Sequence, residues 1–83
     1  MSDLYAKSRI KNNWDKINWD NLSSNENAIP ILEKNLDKIN WSNLSSNPSS
    51  IFLLKKHPEK IVWWWLANNT NPEAMLLFVN IAF

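Results

Sequence analysis

The segment DKINWDNLSSNENAIPILEKNL, from Asp15, runs straight into DKINWSNLSSNPSSIFLLKKHP, from Asp37, and a looser copy, EKIVWWWLANNTNPEAMLLFVN, follows from Glu59. The three starts are evenly spaced, which makes Trp19, Trp41 and Trp63 equivalent, as are Ile17, Ile39 and Ile61, and Leu22, Leu44 and Leu66. Beyond Leu66, Asn71-Pro72 follows Asn47-Pro48 by two positions more than this period, so the third copy reads as longer, with the insertion in ANNTNP, where a loop tolerates it. A unit this short cannot bury its own apolar face. It must stack on neighbours, and about three copies are the minimum that can.

Each copy carries two helix-start signals. Asn47-Pro48 and Asn71-Pro72 pair an N-cap acceptor with proline at the first helical position, where the missing N–H does no harm. In the first copy Asn27 is the expected cap, since Asn25 would put Pro30 too deep. The second signal is Ile-Asn-Trp-x-x-Leu: with Asn18 or Asn40 as N-cap, Ile17 or Ile39 precedes it and Leu22 or Leu44 sits at the fourth helical position, forming a hydrophobic staple. In the third copy Val62 replaces the capping asparagine while Pro58 offers an earlier start, so one longer helix is expected from about Pro58 to Leu66. The fold class is therefore all-α, a short α-solenoid of about three 22–24-residue two-helix repeats. One domain spans 1–83: an N-terminal cap or degenerate repeat at 1–14, repeats at 15–36 and 37–58, and a third at 59–83 with an apolar C-terminal helix.

With 83 residues, burial reaches only about 60–65% of the unfolded chain's surface, and the six tryptophans are expected to carry the core. There are fourteen asparagines and no glycine, so asparagine is expected to fill any left-handed turn positions. The absence of cysteine excludes disulfides, thiol chemistry and cysteine-ligated zinc. A net charge of +1 is too balanced to recruit a polyanion by its field alone. MSDLYAKSRI lacks the apolar run of a signal peptide, and no stretch is long enough to span a bilayer, so a cytoplasmic or virion-associated location is expected.

The pattern NP-x-x-I-x-LL-x-K-x-x-x-KI-x-W-x-x-L-S-x-NP, over roughly residues 12–80, resembles the asparagine-rich tandem helical repeats of giant nucleocytoplasmic DNA viruses. The resemblance implies a viral origin and a repeat class, and no particular activity. The period is also similar to that of leucine-rich variant repeats, which alternate an α-helix with a short 3₁₀ helix but carry arginine and alanine where this chain has lysine and tryptophan.

Candidates for chemistry are few. His57 has no nucleophile and orienting group that the sequence places beside it, and reads as a helix-end residue with its ring near the last carbonyls. Asp15, Asp37 and Glu59 recur, yet Lys16, Lys38 and Lys60 follow them directly, which neutralises the row and disfavours a metal. SSNPSS around Pro48 lacks the glycine-rich loop of a phosphate cradle and reads as capping. No catalytic, cofactor or metal residue is assigned, and no cofactor is expected.

Trp63-Trp64-Trp65 stands apart. Three successive helical residues cover about 200° of circumference, so at least one ring should be exposed or partnered. Trp64 stands where the other copies have Asp20 and Ser42, and Trp65 where they have Asn21 and Asn43. Either these rings close the end of the last copy, or they form an interface. The following EAMLLFVNIAF is apolar on nearly every side, so Trp64, Trp65, Leu76, Leu77, Val79 and Phe83 are the candidate interface residues. The expected function is a non-enzymatic helical-repeat module for protein–protein interaction or assembly, with self-association as a dimer favoured. The competing function is single-stranded nucleic-acid binding through exposed tryptophans and the lysine row, which would weaken steeply with salt.

Overall fold

The computed structural model describes residues 16–82, and every regular element within them is helical. In chain order these include α1 (Trp19–Ser23), α2 (Ile29–Glu33), α3 (Trp41–Ser45), α4 (Ile51–Lys56), α5 (Trp63–Leu66) and α6 (Ala74–Ala82). Single turns of 3₁₀ helix occur at Leu36–Lys38, Pro48–Ser50 and Pro58–Lys60, the second running straight into α4. The cap or degenerate copy expected at 1–14 lies outside the described residues.

The Ile-Asn-Trp-x-x-Leu signal acts where it was read. Asn18 and Asn40 are extended, and their Oδ1 atoms accept from the backbone N–H groups of Asn21 (3.0 Å) and Asn43 (3.1 Å), which the helix itself cannot satisfy. Ile39 and Leu44 are both buried, as the staple requires. Asn40 also donates from Nδ2 to Asp20 Oδ1 at 3.0 Å. Asn40→Ala should therefore cost about 0.5–2 kcal/mol in a urea melt. A neutral result would place the start of α3 elsewhere.

The third copy departs from the reading of one helix from Pro58 to Leu66. Pro58–Lys60 is a 3₁₀ turn, Ile61 and Val62 are extended with ψ of 129° and 98°, and only then does α5 begin. A continuous helix would withdraw the Val62 N–H from Ser45 Oγ, 3.0 Å away, and lift Ile61 out of the core. Tertiary bonding overrides the local helix signal here.

That Val62–Ser45 bond is one rung of a ladder between copies. Asn40 N–H donates to Ser23 Oγ at 2.9 Å, the same bond one copy earlier. Each serine hydroxyl donates in turn to a carbonyl four residues back, Trp19 for Ser23 and Trp41 for Ser45, both at 2.7 Å. A hydroxyl can do both at once, which an alanine cannot.

Asn47 supplies a second rung: its Nδ2 donates to the carbonyls of Ser23 (3.0 Å) and Asn25 (3.1 Å), while its Oδ1 accepts from Ser49 N–H (2.9 Å). One side chain thus caps the C-terminal end of α1 and starts its own helix. Asn69 repeats the bridge, donating to the Ser45 and Asn47 carbonyls, each at 2.9 Å, and accepts from Asn71 N–H at 2.8 Å. The two roles of Asn47 are thus divided in the longer third copy: Asn69 makes the bridge to the preceding copy, and Asn71, followed by Pro72 as Asn47 is by Pro48, makes the local turn. Asn71 adds its own turn, accepting from Glu73 N–H and donating to the Pro48 carbonyl at 2.8 Å. In the first copy Asn25, not Asn27, holds the equivalent place, accepting from Asn27 N–H at 2.8 Å, and Ala28 precedes α2.

Among the described residues no backbone φ is positive, so the asparagines do not serve as glycine substitutes in left-handed turns. Their amides bridge copies instead. The core is likewise not a tryptophan core. Leu32, Leu44, Leu53, Leu54 and Leu66 are fully enclosed, and Trp19, Trp41 and Trp63 pack against them half-buried. An indole is too large for a layer one short helix thick to surround.

Candidate interface at the C-terminal end

The ladder changes character at α5. Val62 provides no side-chain cap, and the residue equivalent to Ser23 and Ser45 is Ala67, which has no side-chain oxygen to receive a further N–H. The acceptor row stops here by composition.

Apolar surface replaces it. In the first copy, Asp20 looks toward the second: its carbonyl accepts from Asn43 Nδ2 (2.9 Å) and its carboxylate from Asn40 Nδ2. Trp64 stands at the equivalent position and is 79% exposed, with Trp65 at 40%. Trp63 turns inward, its ring 5.2 Å from that of Phe78, which joins α5 to α6. Along α6, Ala74 and Leu77 face the core, while Met75 (70%), Leu76 (54%) and Val79 (49%) are exposed. Spacings of three and four residues put these last three on one continuous stripe.

Of the expected interface residues, Trp64, Trp65, Leu76 and Val79 are thus at the surface. Leu77 is not: at 6% exposure it belongs to the core, because it takes the place of Leu53 in α4, which is also buried. Phe83 lies outside the described residues. Met75 was not among the candidates, although its equivalent in the middle copy is the buried Ile51. Val79 stands where the other copies carry Glu33 and Lys55, the same polar-to-apolar exchange seen at Trp64 and Trp65.

The remaining candidates are dispersed. His57 packs edge-on to Trp41, centroids 5.7 Å apart, with Nδ1 3.9 Å from Glu59 Oε2. Lys16, Lys38 and Lys60 are all exposed, and so are Asp37 and Glu59 beside the last two, while Asp15 lies outside the described residues. Phe52 is exposed in the middle copy but carries the Lys56 ammonium 4.4 Å over its ring. Among the described residues no group of three or more potential ligands could hold a metal, and no helix is long and apolar enough to cross a membrane. No family model, curated protein or solved structure matches the chain.

Proposed function

We propose that this chain is a non-enzymatic protein-interaction module of a large DNA virus, built as a short α-solenoid of about three 22–24-residue two-helix repeats, whose binding surface is its C-terminal end. The recurrence of the Ser23 and Asn47 rungs at Ser45 and Asn69 supports the solenoid reading. One observation carries the functional reading: Trp64, Trp65 and Val79 are exposed and apolar at positions that are polar in both other copies. Fold maintenance alone does not demand that exchange, because the other copies fold with polar residues there. Exposed indoles and a stripe free of charge suit a protein partner, which tryptophan anchors well. The nucleic-acid alternative would need the lysine row, and its adjoining carboxylates offset that field.

A photoreactive phenylalanine analogue placed at position 64, and separately at the equivalent positions 20 and 42, tests this in an expressing cell. Crosslinks to protein from 64 and none from 20 or 42 are expected. Crosslinks from 64 to nucleic acid, or equal yields from all three positions, would overturn the reading.

A further inference from the structure

We infer that the partner covering this end is a second copy of the same chain, packed tail to tail across a twofold axis with Trp64 and the Met75, Leu76, Val79 stripe at the seam. The inference rests on the interaction reading above and adds the identity of the partner.

Two observations select a second copy in this orientation. The first is the end of the ladder. A further unit stacked in register, whether a following repeat or another molecule's first copy, would bring the N–H equivalent to that of Asn40 against position 67. Ala67 has no side-chain oxygen for it, so a buried donor would be left without the partner it has between the other copies. The rung from the Asn40 amide to the Asp20 carboxylate is lost as well, since Trp64 stands where Asp20 does and has no side-chain acceptor. Head-to-tail continuation would thus have to forgo the hydroxyl rung that joins each pair of neighbouring copies within the chain.

The second observation is area and composition. From their exposures, Trp64, Trp65, Met75, Leu76 and Val79 leave on the order of 600 Å² of apolar side chain in water. A specific interface takes roughly 600–1,000 Å² from each partner, so one such end supplies the lower bound of what a stable dimer needs. The surface carries no charged side chain among these five residues, so two copies of it meet without like-charge repulsion. An isologous pairing covers both of these apolar surfaces in one step and closes at two copies.

Sedimentation equilibrium of the full chain from about 1 to 100 µM provides the test. A monomer–dimer equilibrium that stops at two is expected, and Val79→Lys and Trp64→Ser should each weaken it at least tenfold. Both variants restore the residue of the middle copy, Lys55 and Ser42, so the fold accommodates them, and unchanged circular dichroism checks that it does. A species series continuing past two would show head-to-tail stacking and overturn the inference. So would a dimer equally strong in both variants, or a monomer throughout that range. A monomer that still crosslinks from position 64 to another protein would sink self-recognition while leaving the interaction reading intact. A monomer with no such crosslink would sink both.

Discussion

Asn47→Ala is expected to remove about 3–4 kcal/mol, the largest single loss available from a residue that looks like surface decoration in the sequence. The side chain is 2% exposed and makes three hydrogen bonds, two of them to carbonyls of the preceding copy. Deleting it leaves the Ser23 carbonyl, at the buried end of α1, without that donor, removes a helix start, and opens a void between copies. A small domain of this length has about 4–12 kcal/mol in all, so the variant should sit near the edge of folding. Asn25→Ala supplies the contrast. Asn25 holds the equivalent position but is exposed, and among the described residues its side chain makes only the bond to Asn27 N–H, so its loss should stay below about 1 kcal/mol. Equal losses in denaturant melts would mean that the bridge between copies contributes nothing beyond a local turn.

Trp41→Ala should cost about 3 kcal/mol and Trp64→Ala under about 1 kcal/mol, when both are measured in the dimer-blocking Val79→Lys background. Trp41 packs against the leucine core and takes the His57 ring on its edge, so truncation opens a cavity and removes an aromatic contact together. Trp64 is 79% exposed, and in the isolated chain its removal takes little area from the core. In the unblocked protein the ranking for association should reverse: Trp64→Ala weakens the dimer, whereas a tolerated change at Trp41 leaves the seam untouched. Equal destabilisation by the two substitutions would contradict the assignment of faces.

Much of this architecture is legible in the chain itself, since a constant period with fixed tryptophan, isoleucine and leucine places dictates equivalent short helices. The caps at Asn18 and Asn40 were readable because a capping bond is local, reaching only to the third residue on. Trp64 and Trp65 were readable as surface candidates because they break an equivalence that the other copies keep. What the tertiary structure alone decided is everything that depends on partners 17 to 24 residues away. The cap signal at Asn47 is local, but nothing local says that its amide also reaches two carbonyls of the preceding copy, and so the asparagines invited the wrong explanation. The extended path of Ile61 and Val62 follows from a hydroxyl on the preceding copy, against a helix signal within their own. The inward turn of Leu77 has the same origin. A helix apolar on all sides carries no asymmetry in its own pattern, so which stripe is buried is set by the neighbouring layer, through Trp63 on Phe78 and the alignment of Leu77 with Leu53.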